Sequence, residues 1–182
     1  MVYNKPGMDT ERCLLKSRKE LNHMKEHTCC FTGHRIIPNA ELPIIKQRLE
    51  FTMSKLINQG VVYYGCGGAI GFDTLAGLTV LDFKKKHTEV KLIMVLPCRN
   101  QDAHWSEKHR VAYQKLLRCA DKIVCVSEQY HDSCMKKRNL HLVEHSGFCI
   151  AYLTRENSGT GQTVKLANER GLVVFHLSKE QQ

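Results

Sequence analysis

Residues 61–83 read VVYYGCGGAIGFDTLAGLTVLDF and contain the unit that decides the fold. The unit begins with a short apolar run, which predicts a buried β-strand. A glycine-rich turn at 67–71 follows the run and leads into a helix predicted from Phe72 to about Lys86. A short buried strand, a turn and a helix in this order are typical of a parallel sheet that is covered by helices on both faces.

The same unit recurs on both sides of this stretch. One predicted helix is capped by Asn39, and two end just before Gly60 and Gly171, the residue type that favours a helix C-terminus. The predicted strands are Thr28–Thr32, Val61–Cys66, Val90–Leu96, Lys122–Val126, Phe148–Leu153 and Leu172–Phe175. The predicted helices are Ala40–Gln59, Phe72–Lys86, Ser106–Cys119, Ser133–His145 and one that follows a turn at 158–161 and ends at Arg170. This alternation predicts a doubly wound α/β domain with a mainly parallel, open, Rossmann-like sheet.

The first part of the chain departs from this pattern. Residues 9–27 are dense in charge and predict a helix with Asp9 as its N-cap. The apolar stripe of this helix is thin and consists of Leu14, Leu15 and Leu21. We therefore expect an N-terminal arm and appended helix over residues 1–27. Residues 28–182 then form one Rossmann-like domain, in keeping with a total length of 182 residues.

The composition is that of a globular protein. Hydrophobic residues make up 42% of the chain and charged residues 25%, which excludes wholesale disorder. No run approaches the roughly 18 apolar residues of a membrane span, and the N-terminus lacks the apolar core of a signal peptide. We therefore expect a soluble, cytoplasmic protein without a membrane partner, and the sequence leaves open whether it forms a homo-oligomer.

The charge balance indicates an anionic partner. The chain carries 27 basic and 18 acidic residues, a formal net charge of +9, and its pI is near 9.1. Such a balance favours anions in general, from nucleotides to nucleic acids, and does not choose among them.

The nine cysteines are expected to be reduced thiols rather than disulfides or metal ligands. The chain contains no C-x-x-C pair, and the predicted compartment is reducing. Cysteines in or beside apolar runs behave as small buried hydrophobes. On this basis we expect five of them to be buried: Cys29, Cys30, Cys98, Cys125 and Cys149.

Candidate ligand contacts follow the predicted strands, because ligands of open parallel sheets bind outside the carboxyl ends of the strands. Two of these loops are glycine-rich and open a helix, which lets backbone N–H groups approach a phosphate. Asp73 can either cap its helix or bind a ribose hydroxyl, and Arg138 belongs either to a solvated basic helix or to the ligand site. The candidate ligand-binding residues are Gly33, His34, Arg35, Gly67, Gly68, Gly71, Asp73, Arg138, Asn139, Ser158, Gly159, Thr160 and Gly161.

Three motifs together resemble the SLOG superfamily, a Rossmann-like group that includes YpsA-like proteins, the DNA-processing protein DprA and the LOG nucleotide hydrolases. The motifs are CFTGHR, GCGGAIGFDTLAG and RENSGTGQTVKLA, and the resemblance extends from about Thr28 to Leu177. The FTGHR opening, the G-x-D turn and the KRN…HS stretch at 137–146 are most similar to the YpsA-like branch. The resemblance implies a nucleotide-like small-molecule partner, such as ADP-ribose or NAD, at the C-terminal edge of the sheet. It names no cofactor.

Whether any reaction is catalysed is left undecided by the sequence, and binding or sensing without turnover is the expectation. A LOG-type hydrolase is one alternative, but the final helix carries Val164 and Lys165 where that branch has a glutamate. DprA-like binding of single-stranded DNA is the second alternative. The positive charge allows it, but aromatic residues make up only 7% of the chain and are not interleaved with a basic stripe.

Overall fold

Six parallel strands alternate with five helices in the part of the chain that the computed structural model describes, which is Glu20 and residues 22–178. The strands are β1 (Thr28–Gly33), β2 (Tyr63–Cys66), β3 (Lys91–Leu96), β4 (Lys122–Cys125), β5 (Phe148–Tyr152) and β6 (Val173–His176). The helices are α1 (Leu42–Asn58), α2 (Phe72–Lys84), α3 (Glu107–Cys119), α4 (Cys134–Glu144) and α5 (Gly159–Glu169). None of these helices is long and apolar enough to cross a bilayer.

The sheet is wound outward from β1 in two directions. Its strand order is β4-β3-β2-β1-β5-β6, with every neighbouring pair parallel. The chain runs from β1 to β4 on one side and then returns to add β5 on the other side of β1. The Rossmann-like α/β fold predicted from the sequence is confirmed, and the gap between β1 and β5 is the topological switch point at which such sheets bind ligands.

Each face of the sheet has its own apolar core. Helices α1, α2 and α3 pack on one face, where Leu49, Phe72 and Leu116 belong to the larger cluster of buried residues. Helices α4 and α5 pack on the other face, where Val143 and Ala167 belong to a second cluster. The central strands are apolar on both faces for this reason.

Two predicted helix starts are wrong. Helix α1 begins after Glu41 rather than after Asn39, and it has no side-chain cap. Pro43 lies in its first turn, the position at which proline fits a helix best. Helix α5 begins at Gly159, so the segment 158–161 is the helix start itself rather than a turn before it.

The appended helix can be followed only in part. A short helical segment at residues 22–26 precedes β1. Residues 9–19 and 21 of the predicted helix, which include Asp9 and its three leucines, lie outside the described residues.

Four of the five cysteines expected to be buried are buried, and Cys125 is not. Cys125 is exposed because β4 is an edge strand of the sheet, with β3 as its one neighbouring strand in the described part of the chain. Two further buried thiols, Cys66 and Cys134, were not expected from the sequence.

Candidate functional site

A cavity of about 630 Å³ lies at the carboxyl ends of β1 and β5, at the topological switch point. The loops after these strands, the start of α5 and one side of α4 form its walls. It is lined by Phe31, Thr32, Gly33, His34, Arg35, Ile36, Pro38, Glu41, Ala69, Asp73, Met135, Arg138, Asn139, Tyr152, Thr154, Arg155, Ser158, Gly159 and Thr160.

His34 ties the loop after β1 to the loop after β5. It follows β1 directly and is only 8% exposed. Its Nε2 accepts hydrogen bonds from the backbone N–H groups of Thr154, at 3.0 Å, and Arg155, at 3.3 Å. Since Nε2 is an acceptor, Nδ1 carries the proton of the neutral ring. Burial and the positive charge of Arg155 lower the pKa of His34, which keeps the ring neutral.

Arg138 and Asp73 form a buried ion pair across the edge of the sheet. Arg138 Nη1 donates to Asp73 Oδ2 at 3.1 Å, and the two side chains are 9% and 6% exposed. The same carboxylate oxygen accepts from the N–H of Ala69 at 3.3 Å. Burial raises the pKa of Asp73, while the Arg138 guanidinium acts in the opposite direction. Two of the alternatives that the sequence left open are therefore wrong. Arg138 does not point into solvent, and the N-cap residue of α2 is Gly71 rather than Asp73.

The guanidinium of Arg138 has unused hydrogen-bonding capacity. Within the described part of the chain, its Nη2 reaches only the thioether sulfur of Met135, at 3.9 Å. Its Nε is buried and finds no partner among the residues that the structure describes. A buried donor without an acceptor is costly, and because Nε is enclosed, a ligand anion would remove that cost only by drawing the guanidinium toward the cavity.

The first glycine-rich segment, 67–71, is packed against protein atoms. A Cβ at Gly67 would collide with the Arg138 guanidinium and lie 2.8 Å from Asp73 Oδ2. Gly68 has a φ of +66° and a Cβ there would lie 2.6 Å from Met94 Cε, while Gly71 has a φ of +87° and faces the carbonyl of Arg35. These three glycines do not line the cavity; Ala69 does.

The second glycine-rich segment, 158–161, is open on the cavity side. Ser158 Oγ caps α5 by accepting from the N–H of Gly161 at 3.0 Å, and it donates to the carbonyl of Arg155 at 2.7 Å. Gly161 packs against the backbone of Glu156. A Cβ at Gly159, by contrast, would meet no atom within 4 Å. The first N–H groups of a helix lack intrahelical acceptors and carry partial positive charge, so this helix start suits an anion.

The structure brings most of the predicted contacts to one place. Asn139 donates from Nδ2 to Thr163 Oγ1 at 2.8 Å and so joins α4 to α5. Gly67, Gly68, Gly71 and Gly161 lie behind the cavity wall. The predicted residues that line the cavity are Gly33, His34, Arg35, Asp73, Arg138, Asn139, Ser158, Gly159 and Thr160.

The cavity also contains polar residues that are not among the predicted contacts: Thr32, Glu41, Tyr152, Thr154 and Arg155. Glu41, at the start of α1, accepts from the hydroxyl of Tyr152 at 2.9 Å through Oε2. Tyr152 is 1% exposed, and burial together with Glu41 raises its pKa to about 12, so it stays protonated. Tyr152 is the last residue of β5. The rule that ligands bind beyond strand ends did not include Tyr152, because the predicted strand extended to Leu153.

The charges that line the cavity favour an anion. Three arginines, Arg35, Arg138 and Arg155, face two carboxylates, Glu41 and Asp73. Asp73 is already paired with Arg138. The surplus of positive charge and the start of α5 together make the site suited to a phosphate.

The comparison with known families and proteins agrees with this picture of the fold. The profile of the YpsA family, described as the YspA SLOG family, matches residues 33–170. The SPbeta prophage-derived protein YoqJ of Bacillus subtilis is 30% identical over 138 residues, which cover 69% of this chain and 81% of that protein. A UPF0398 protein of Halalkalibacterium halodurans is 24% identical over 129 residues, which cover 69% of this chain and 68% of that protein.

Two solved structures share the fold. One comes from work on the single-stranded DNA binding mode of DNA processing protein A from Helicobacter pylori; it has a TM-score of 0.61 and 22% identity, over 87% of this chain and 67% of that one. The other is DprA from Streptococcus pneumoniae, with a TM-score of 0.61 and 17% identity over 86% of this chain. This chain spans 51% of that structure.

Proposed function

Because the chain belongs to the YpsA SLOG family, we propose that it binds the phosphate of a nucleotide or nucleotide-derived ligand, such as ADP-ribose or NAD, in the switch-point cavity. Binding occurs without turnover of the ligand. The size of the cavity, about 630 Å³, supports a ligand larger than a lone phosphate, since small-molecule sites measure roughly 300–1,000 Å³.

The observation that carries this proposal is the state of Arg138. Its guanidinium is buried at the cavity wall, and its Nε has no acceptor within the described part of the chain. Asp73 pairs with the guanidinium of Arg138 through Nη1. A phosphate oxygen in the cavity would accept from the guanidinium where it lines the wall, and such charge-assisted bonds are about twice as strong as neutral ones.

The start of α5 supplies the second half of the phosphate site. Ser158, Gly159 and Thr160 line the cavity, and Gly159 leaves its backbone uncovered there. His34 holds the preceding loop through two backbone hydrogen bonds, so the start of α5 is positioned before the ligand arrives.

The proposal of binding without turnover rests on the carboxylates. Cleavage of an N-glycosidic bond calls for carboxylates that are free to stabilise the sugar or activate water. Asp73 is engaged by Arg138 and Ala69, which leaves Glu41, with its Oε2 held by Tyr152, as the one available carboxylate among the described residues of the cavity, where a pair is needed. Val164 and Lys165 have no carboxyl group, so neither supplies the missing acid of the LOG-type alternative. Incubation with AMP, followed by chromatography for free adenine, should show no release above background.

Calorimetric titration with AMP, ADP-ribose and NAD tests the binding proposal. The decisive variant is Gly159→Asp, because an acid in the first turn favours the helix but repels a phosphate. We expect it to weaken binding by about tenfold or more with no loss of thermal stability. Gln162→Glu is the matched control: Gln162 is exposed, lies early in the same helix and is outside the cavity. Failure of all three probes to bind the wild type would contradict the proposal.

Single-stranded DNA is the second candidate ligand. The shared fold with DprA structures and the net charge of +9 favour it. Lys136 and Lys137 are exposed in the same turn of α4 that presents Arg138, and they could follow a strand beyond the cavity.

Salt dependence and charge reversal separate the two candidates. For a strand, the logarithm of the affinity should fall by about 0.7 per neutralised phosphate for each tenfold rise in salt. The double variant Lys136→Glu/Lys137→Glu should then abolish binding of oligo(dT) and leave AMP binding intact. If Gly159→Asp loses AMP binding but still binds oligo(dT), the two ligands occupy different sites. The nucleotide would then bind in the cavity and the DNA on a surface outside it.

A further inference from the structure

Resting on the proposed function, we infer that Glu41 and Tyr152 bind the ribose hydroxyls of the ligand, so that the cavity selects ribonucleotides over deoxyribonucleotides. The phosphate linked to that ribose occupies the side of Arg138 and α5. This inference goes beyond phosphate binding, because it assigns a sugar to a pair of residues on the opposite side of the cavity.

The side chain of Glu41 is available to a ligand because it does not cap its own helix. It is the N-cap residue of α1, yet its side chain makes no capping hydrogen bond. The carboxylate accepts one bond, from the Tyr152 hydroxyl to Oε2. Within residues 22–178 its Oε1 has no hydrogen-bond donor, and Glu41 forms no ion pair. A carboxylate accepts only, so the group that completes this site must donate.

Tyr152 holds the acceptor in a fixed position. Its ring lies in the larger core cluster and contacts the rings of Phe72, at a centroid distance of 5.9 Å, and His34, at 6.0 Å. Its hydroxyl remains protonated at neutral pH and donates to Glu41. The hydroxyl oxygen itself can still accept a hydrogen bond, so the pair offers two acceptors, Glu41 Oε1 and the Tyr152 hydroxyl.

The charge distribution separates the sugar from the phosphate. A carboxylate beside a phosphate would repel it, so Glu41 marks the part of the cavity where the phosphate does not bind. Glu41 and Tyr152 belong to the side of the sheet that carries α1 and α2. Arg138 and Ser158 come from α4 and the start of α5, on the other side. A 5′-nucleotide has its anion and its hydroxyls at opposite ends of one ribose, which fits this division.

A vicinal diol is the donor that fits the pair best. Its two hydroxyls match two adjacent acceptors, and acidic residues bind ribose hydroxyls in this way in dinucleotide-binding domains. The exocyclic amino group of a base is the other donor that a nucleotide offers. The two donors can be removed one at a time. Removal of the 2′ hydroxyl leaves the base unchanged, and replacement of adenine by hypoxanthine removes the amino group and leaves the sugar unchanged.

The test is calorimetric titration of the full chain with AMP, 2′-deoxy-AMP and IMP, because each carries one phosphate and one sugar. We expect AMP and IMP to bind alike and 2′-deoxy-AMP to bind about 10- to 100-fold more weakly, the effect of losing a hydrogen bond to a charged acceptor. Equal binding of AMP and 2′-deoxy-AMP would overturn the inference, as would a loss that follows the amino group instead. Failure of AMP to bind while ADP-ribose binds would overturn the pairing of one phosphate with its own ribose.

Variants assign the preference to the pair. Glu41→Gln keeps the size of the side chain and removes its charge, and we expect it to weaken the binding of AMP more than that of 2′-deoxy-AMP, so that the preference for the ribonucleotide shrinks. Glu50→Gln is the control, because Glu50 lies on the same helix and pairs with Lys46 at the surface. A preference that survives undiminished in Glu41→Gln and in Tyr152→Phe would overturn the assignment. If no nucleotide binds the wild type at all, the proposed function fails and this inference fails with it.

Discussion

The two glycine-rich segments, 67–71 and 158–161, are alike in sequence and differ in structure. In the first, Gly67 and Gly71 have no room for a side chain because atoms of Arg138 and Arg35 occupy the space. In the second, Gly159 borders empty space at the cavity. A glycine can thus be required either because the protein itself fills the Cβ position or because the backbone must stay open to a ligand. The sequence does not separate the two cases, and the packing does.

The difference assigns separate tasks to the segments. The first segment lets a buried ion pair form, because Arg138 can reach Asp73 only where residue 67 lacks a side chain. The second segment presents a helix start to the cavity. Substitutions in the first should therefore act on stability, and substitutions in the second on binding.

The largest expected effect comes from breaking the ion pair that the first segment accommodates. Arg138→Met leaves the Asp73 carboxylate buried without its partner, and we expect a loss of about 3–5 kcal/mol in the free energy of unfolding. Adding Asp73→Asn should recover most of that loss, since no buried charge remains. Urea denaturation measures both. A single variant as stable as the wild type would show that the pair does not stabilise the fold.

Gly67→Ala should be the next most damaging change. The added methyl group collides with the Arg138 guanidinium and forces the ion pair to shift, and overpacking of this kind typically costs about 1–3 kcal/mol. Urea denaturation again gives the value. In the Arg138→Met background the same substitution should cost much less, because the group that it strikes is gone; an unchanged cost there would rule out this explanation.

The hydrogen bonds that hold the loop before the second segment should stabilise the protein less as the pH falls. His34 accepts two backbone hydrogen bonds through Nε2, and its pKa in the folded protein is lowered by burial and by Arg155. The unfolded chain therefore takes up the proton more readily, so the contribution of His34 is present above about pH 6.5 and is lost as the pH falls through the folded pKa.

His34→Gln isolates this effect from the other histidines. A glutamine oxygen can accept from the same N–H groups and does not titrate in this range. We expect thermal stability and AMP affinity to fall between pH 7 and pH 5 by more in the wild type than in His34→Gln. Parallel pH profiles for the two proteins would show that His34 is not the titrating group.

The smallest expected effect comes from Gly159→Ala. Its methyl group meets no atom within 4 Å, and alanine favours a helix more than glycine does. We expect a gain of up to about 1 kcal/mol in the free energy of unfolding. The same substitution thus has opposite signs at 67 and 159. A loss at Gly159 as large as that at Gly67 would remove the distinction between the segments.

Much of the fold was predictable because it depends on local patterns. Buried strands alternate with helices from Thr28 onward, and the family resemblance drawn from three motifs is confirmed by the match over residues 33–170. The edge at which the candidate residues meet also follows from the sequence, since the carboxyl ends of parallel strands share one edge. The exposure of Cys125 was not predictable in this way, because it depends on which strand lies at the end of the sheet.

The details of the site depend on contacts between residues that are far apart in the sequence, and local sequence patterns do not predict such contacts. Glu41 and Tyr152 are 111 residues apart, and each is unremarkable where it stands, one at a helix start and one in a strand. Arg138 belongs to a basic stretch, which favoured an exposed side chain. It is buried because its guanidinium packs against Gly67, where a side chain would leave no room for it. Such pairings follow from the way the helices cross the sheet edge.

The most direct test of the account is the backbone amide spectrum of the ¹⁵N-labelled protein during titration with AMP. It reports on both glycine-rich segments in one experiment. We predict large, saturable shifts for Gly159 and Thr160 and much smaller shifts for Gly68 and Gly71. Inorganic phosphate should reproduce part of the change at Gly159. Shifts concentrated in 67–71, with 158–161 unmoved, would contradict the account.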